Sequence, residues 1–323
     1  MKVAILDDWF DTLRGLPCFA KLDGHDVTVF TDHVADSATL ASRLSNAEAL
    51  VLFRERTAVT ADLLSRLPNL KLISQRSVYP HIDVEACTAN NVLLCSNMHG
   101  GTPSYAAAEL TLALMLASAR QIPAQVASTR AGQWQMGVGK TLRGRTLGLY
   151  GYGRIAKAVA GYAEALGMTV QWWSSDAGRT RAAADGVRIA DSREAFFATS
   201  DFISVHVRLK PDTTGIITAA DLGAMQAHAC FINTSRAGLV EPVALETALA
   251  NGRPGYAAID VFETEPLTDV SHPLLNNPNV ITTPHIGYVT EDEFDLQFSD
   301  IFDQVAAYAN GDPIHMINPE VYT

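Results

Sequence analysis

The stretch Tyr150-Gly151-Tyr152-Gly153-Arg154-Ile155-Ala156 constrains this chain more than any other. The apolar run Thr146-Leu147-Gly148-Leu149-Tyr150 leads into it and predicts a buried strand. Beyond Gly153 the spacing turns helical. Ile155, Val159, Ala163 and Leu166 recur every three or four residues, and Gly167 stands where such a helix stops. Strand, G-x-G-x-x-A and helix, in that order, make the fingerprint of a dinucleotide-binding turn. Gly151 permits the tight turn. Gly153 lets a pyrophosphate approach backbone N–H groups at the helix N-terminus, where the helix dipole favours an anion. Ala156, in third place, still lets helix and strand pack closely.

A length of 323 residues points to two domains. Hydrophobic residues make up 48% and charged residues 18%, enough for a sizeable core and against disorder. The net charge of −11 argues against a nucleic-acid surface, which needs a basic stripe. It leaves an anionic substrate open, because a few arginines set the field inside a cleft. Cys18, Cys87, Cys95 and Cys230 are scattered, with no C-x-x-C pair. That pattern fits reduced thiols in a cytoplasmic protein and predicts no metal. Met1-Lys2-Val3-Ala4-Ile5-Leu6 runs straight into a strand, so no signal peptide is expected. The longest apolar run, around Leu110 to Ala119, is too short to cross a bilayer.

Along the chain, strands are expected at Lys2–Leu6, Val27–Phe30, Ala49–Phe53, Leu70–Ser74 and Val92–Cys95. Helices are expected near Leu13–Leu22, Ala38–Leu44, Ala61–Leu67 (with Thr60 as its N-cap) and Asp83–Asn90. This alternation implies a parallel sheet with helices on both faces. Gly100-Gly101-Thr102-Pro103 reads as a linker, followed by a long apolar helix from about Ser104 to Arg120. Gln121 to Arg145 reads as a loop or an arm onto a second subunit. A second set of strands opens at Thr146–Tyr150 and continues with Thr169–Trp173, Phe202–Val207, Cys230–Asn233, Tyr256–Val261 and Val280–Thr283. Asp191 and Glu194 have capping-box spacing. After Gly287 one last amphipathic helix carries Phe294, Phe298, Ile301, Val305 and Tyr308 as its stripe.

Three stretches place reactive side chains where strands end: Asn233-Thr234-Ser235-Arg236, Asp260-Val261-Phe262-Glu263-Thr264-Glu265-Pro266 and Thr283-Pro284-His285-Ile286-Gly287. In open α/β sheets, ligands sit beyond the carboxyl ends of strands. An arginine there is a bidentate partner for a carboxylate. A histidine can move a proton near neutral pH, and a carboxylate beside it stabilises its charged form.

With these contexts following the glycine fingerprint, the chain resembles the D-isomer-specific 2-hydroxyacid dehydrogenases, from about Leu50 to Tyr288. Ala106-Ala107-Ala108-Glu109 and Leu142-Arg143-Gly144-Arg145-Thr146-Leu147-Gly148 belong to the same likeness. The resemblance implies two doubly wound α/β domains: a Rossmann cofactor domain over residues 100–287, inserted into a flavodoxin-like substrate domain of residues 1–99 and 288–323. It implies NAD or NADP as cofactor, bound by Gly151, Gly153, Arg154, Ile155, Ser174, His206, Thr234 and Asp260, the last on the nicotinamide carboxamide. It implies that Arg236 holds the substrate carboxylate and C2 oxygen, with His285 as acid/base and Glu265 as its partner. A homodimer through the cofactor domain is implied too.

The chain departs from the family pattern at the substrate turn. Gln75-Arg76-Ser77-Val78-Tyr79-Pro80-His81-Ile82-Asp83 is one residue shorter than usual and lacks glycine. Arg76, Ser77 and Val78 remain the expected substrate contacts, with Arg76 supplying by side chain what backbone amides supply elsewhere. Arg54 and Arg56 resemble the arginines that meet a substrate phosphate in phosphoglycerate dehydrogenases, or they are a solvated strand end. Tyr288 replaces a usual glycine after His285. Ser174 stands where NAD-specific enzymes carry an Asp for the ribose, with Asp176, Arg179 and Arg181 following, so the choice between NAD and NADP stays open. The expected function is reduction of a small anionic 2-oxo acid to its D-2-hydroxy acid. A cofactor-sensing regulator on the same fold is the alternative. A formate dehydrogenase is disfavoured by Glu265.

Overall fold

The computed structural model describes residues 1–98 and 104–322. The expected linker Gly100–Pro103 lies outside them. The chain divides into two units, Met1–Ser104 with Val289–Thr323, and Tyr105–Tyr288.

The first unit contains β1 (Lys2–Ile5), β2 (Asp26–Val29), α1 (Ser37–Arg43), β3 (Ala49–Val51), α2 (Ala61–Ser65), β4 (Leu72–Arg76), α3 (Val84–Ala89) and β5 (Leu93–Asn97). All strands are parallel, in the order β2-β1-β3-β4-β5, the flavodoxin-like winding. Each helix starts at a side-chain cap: Asp36, Thr60 and Asp83 accept from the N–H groups of Thr39, Leu63 and Ala86. The C-terminal helix Glu291–Ala309 completes this unit, burying Phe294, Phe298, Ile301 and Val305. Phe294 and Phe298 meet Phe53 with ring centroids 5.0 and 4.8 Å apart.

The second unit contains α4 (Ala106–Ala119), α5 (Ile122–Arg130), β6 (Thr146–Tyr150), α6 (Arg154–Ala165), β7 (Thr169–Trp173), α7 (Asp176–Ala184), α8 (Arg193–Thr199) and β8 (Phe202–Val205). α9 (Ala219–Ala224), β9 (Cys230–Asn233), α10 (Ala244–Ala250), β10 (Tyr256–Ile259), α11 (Pro273–Asn276) and β11 (Val280–Thr282) follow. The parallel strand order is β11-β10-β9-β8-β6-β7. At the free edge of β7, Ile189 makes one parallel bridge to Trp172. Counting that bridge as a residual strand restores the Rossmann order, in which the third strand flanks the second. The winding reverses between β6 and β8, and open α/β sheets bind their ligands beyond the carboxyl ends of the strands at such a point.

Several expectations need correction. Leu13–Leu22 is not one α-helix but two 3-10 turns, Leu13–Gly15 and Pro17–Leu22, because Pro17 interrupts the hydrogen-bond ladder. Gln121–Arg145 is not irregular throughout: α5 occupies its first half, with a proline in its opening turn. The cap of α8 is Ser192, which accepts from the Ala195 N–H at 3.0 Å, rather than Asp191. The apolar helix α4 is buried on one face only: Ala108, Thr111, Leu114, Met115 and Ala119 are buried, while Leu116 is exposed.

Candidate active site and cofactor cradle

The cradle forms where β6 passes into α6. The Gly151 N–H donates to the Trp173 carbonyl at 2.7 Å, so the turn is stitched to the end of β7. Gly151 has φ of 116°, and a Cβ there would lie 2.4 Å from the His206 carbonyl oxygen; only glycine fits. Gly153 is the N-cap of α6 and brings no side-chain acceptor to the first turn. Open space lies where its Cβ would sit. An uncapped twelve-residue helix facing open space suits a pyrophosphate. Arg154 is exposed at the start of α6, while Ile155 and Ala156 pack into the core beneath it.

Other expected cofactor residues take varied positions. His206 follows β8, its N–H bonded to the Tyr150 carbonyl at 2.8 Å and its Nε2 within 2.9 Å of the Ser204 hydroxyl. Burial pushes its pKa down to about 4, so the ring is neutral. The Thr234 hydroxyl is buried against that of Thr111 on α4, 2.8 Å away, which ties β9 to that helix. Ser174 follows β7 and is half-buried.

The reactive side chains gather at the ends of β9, β10 and β11. His285 Nδ1 lies 2.6 Å from Glu265 Oε2. Glu265 Oε1 in turn accepts from the Phe262 N–H at 2.9 Å. Burial alone raises the Glu265 pKa. The His285 hydrogen bond, the Phe262 amide and the charges of His285 and Arg236 outweigh it, so the carboxyl titrates below the ordinary glutamate value. Arg236 opens a short 3-10 turn after β9 and donates from Nη1 to the Ser235 carbonyl at 2.7 Å. Its own carbonyl accepts from Asn233 Nδ2 at 2.9 Å. The Tyr288 ring stands edge-on to His285, with centroids 5.6 Å apart.

Asp260 is fully buried, and its carboxylate is taken up by the His285 loop. Oδ1 accepts from the Thr283 hydroxyl at 2.5 Å and the Ile286 N–H at 2.8 Å; Oδ2 accepts from the Gly287 N–H at 2.9 Å. Burial raises its pKa against these bonds. His285 itself has φ of 54°, a left-handed conformation that costs a non-glycine residue energy. Donors on both sides of His285 are therefore anchored to one carboxylate that holds the ring's backbone in place. The sequence reading missed this anchoring role, since backbone amides leave no motif.

In the first unit, Arg54 and Ser77 also have left-handed backbones, with φ of 58° and 77°. The Ser77 N–H is spent on the Asn97 carbonyl at 3.1 Å, and Val78 follows half-buried. The Arg76 guanidinium pairs with Asp300 at 2.7 Å and lies 4.0 Å from Glu293, both on the C-terminal helix. Its charge is thus engaged within its own unit.

A Rossmann sheet with a glycine cradle, and an arginine, a carboxylate and a histidine at its strand ends, defines the nicotinamide-dinucleotide-binding class. Within that class the chain belongs to the D-isomer-specific 2-hydroxyacid dehydrogenases, whose NAD-binding domain model matches residues 112–287. It is 38% identical to D-3-phosphoglycerate dehydrogenase of Methanocaldococcus jannaschii, over 78% of this chain and 48% of that protein. It is 34% identical to glyoxylate reductase of Thermococcus litoralis, over 82% of each. A solved phosphoglycerate oxidoreductase from Vibrio cholerae superimposes with a TM-score of 0.90 at 43% identity, covering 96% of this chain and 99% of that one. The chain spans about half the length of the curated phosphoglycerate dehydrogenases it matches.

Proposed function

We propose that the protein reduces a small anionic 2-oxo acid to the D-2-hydroxy acid, with NADH or NADPH as reductant. The observation that carries this reading is the His285–Glu265 pair, held by Asp260 and grouped with Arg236 in the unit that contains the cradle. When bound, the reduced nicotinamide supplies the hydride. Arg236 clamps the substrate carboxylate and polarises the C2 carbonyl. His285 Nδ1 is committed to Glu265, which leaves Nε2 to give its proton to the C2 oxygen. The Glu265 carboxyl, which titrates below the ordinary glutamate value, orients the ring through Nδ1.

The unit of Met1–Ser104 and Val289–Thr323 serves as the substrate domain in this reading. Arg54, Ser77 and Val78 are the residues of that unit assigned to the acid, and Arg76, paired with Asp300, braces the turn that bears Ser77 and Val78. The left-handed backbones at Arg54 and Ser77 support the assignment, since such strain concentrates at binding sites. The exposed apolar side chains Leu116, Ile122, Val126, Trp134, Met136 and Val138, on α4, α5 and the segment after them, suit a second copy of the chain and support a homodimer.

The test is a panel of 2-oxo acids with both reduced cofactors. Oxidation of cofactor with at least one acid, giving the D-product, is expected. Tight cofactor binding with no turnover on any acid would leave a cofactor sensor instead.

A further inference from the structure

The proposal here rests on the dinucleotide reading of the cradle and concerns which dinucleotide it takes. Because the Gly151 N–H is bonded to the Trp173 carbonyl, the next residue, Ser174, stands beside the turn where the adenosine ribose falls. In NAD-specific folds a carboxylate at this point accepts the 2′-hydroxyl and repels a 2′-phosphate. Ser174 has no charge. Its hydroxyl is packed on the first turn of α7, where a Cβ on Gly178 would lie 2.2 Å from Ser174 Oγ.

Arg179 is fixed at the same point from two sides. Its guanidinium lies over the Trp173 ring, 4.4 Å from the centroid, and Nη1 donates to the Ser174 carbonyl at 2.5 Å. Nη2 pairs with Asp176, three residues back on the same helix. The Asp176 side chain is 95% exposed. An ion pair that wet is weak and readily exchanged. A phosphate dianion offers guanidinium more charge and a matching oxygen geometry. The exchange needs no movement of Arg179, because Trp173 and the Ser174 carbonyl already hold it.

We propose that Asp176 and Arg179 form a cofactor-selecting latch. Arg179 takes the 2′-phosphate of NADPH, and Asp176 reoccupies the guanidinium when NADH is bound. The chain then uses both cofactors, with NADPH binding at least as tightly as NADH.

The experiment is titration with NADH and NADPH, followed by tryptophan fluorescence, since Trp173 lies under the latch. Arg179→Gln should weaken NADPH by about 10- to 100-fold, the worth of a lost charge-assisted contact, while NADH changes by less than about threefold. Arg179→Lys should restore part of the loss. Asp176→Asn should tighten NADPH by roughly two- to fivefold, the worth of an exposed ion pair, and leave NADH alone. Wild-type preference for NADH by about tenfold or more would overturn the latch and leave the dinucleotide reading intact. Equal weakening of both cofactors in Arg179→Gln would also overturn it, by reducing Arg179 to a packing residue. If neither dinucleotide binds, the cofactor reading falls and the latch with it.

Discussion

In the cofactor unit the chain leaves β6 through a glycine, Gly151, whereas in the other unit it leaves β1, β3 and β4 through Asp7, Arg54 and Ser77, with φ of 60°, 58° and 77°. A glycine makes its turn at little cost and clears room for backbone to approach a ligand. A left-handed residue with a side chain costs roughly 1–2 kcal/mol and must be held there. Asp7 is held by His33 at 2.9 Å and the Thr57 hydroxyl at 2.6 Å on its carboxylate, and by Arg56 on its carbonyl. Ser77 is held through Asn97, Gln75 and Ser96. In the cofactor unit His285, just past β11, is also left-handed, and it too is anchored, through Asp260 and Glu265. The contrast teaches that strand ends offering backbone use glycine, while strand ends presenting a particular side chain accept strain and surround it with fixed polar partners.

The comparison is broken most severely at His285. His285→Ala should lower kcat/KM for reduction by about 10²–10⁴-fold at all pH values while the cofactor dissociation constant holds. Retained efficiency would remove the histidine from the chemistry. Arg236→Ala comes next: losing the partner of a buried carboxylate costs about 2–5 kcal/mol of transition-state binding. Steady-state kinetics at saturating cofactor should show it, and wild-type kcat/KM would exclude the clamp. Glu265→Gln keeps the shape but removes the charge beside His285. The alkaline limb of the kcat/KM profile should move to lower pH; a limb that stays in place would dissolve the pair.

In the other unit the expected effect is on stability. Arg76→Ala should destabilise the protein by about 3 kcal/mol, since it removes the guanidinium beside Asp300 and Glu293 and leaves those carboxylates to the Asn97 and Gln297 amides. A raised KM with unchanged thermal stability would return Arg76 to the substrate. The smallest effect is that of the buried imidazoles. Burial lowers the pKa of His206 to about 4, and that of His81 falls as well. Both are below the unfolded value of about 6.5, so the unfolded chain takes up protons first as pH falls. Their contribution is complete above that value and shrinks toward pH 4. Denaturant midpoints of His206→Asn and His81→Asn should therefore depend less on pH over this range than the wild type; parallel curves would contradict it.

Much of this was legible because short apolar runs punctuated by glycine mark parallel strands. All six strands of the cofactor sheet lie where those runs do. Helices were read less well where their buried faces are made of small residues: α7 buries only Gly178 and Ala182, which carry no periodic signal. The reactive histidine and glutamate were visible through their local contexts. The partners that position them were not, because Asp260 acts on backbone amides 26 and 27 residues away. Arg76 was visible as a residue, but Asp300 lies on a helix more than two hundred positions later, and no local pattern joins them.

The single bridge between Ile189 and Trp172 has a counterpart in the other unit, where Met316 bridges Cys95 in antiparallel sense. At one margin of each sheet a passing segment occupies groups that would otherwise recruit a strand from another molecule. The Trp172 N–H and carbonyl are bonded to Arg188 and Ala190 at 2.9 and 3.1 Å. On the other sheet, Ser96 and Leu94 are bonded to His315 and Ile317 at 2.9 and 2.8 Å. These two short segments thus act as stoppers on the β5 and β7 margins. Proline at Ile317, which deletes the donor to Leu94, should raise light scattering on mild heating before activity falls; unchanged scattering would show that the margin is guarded some other way.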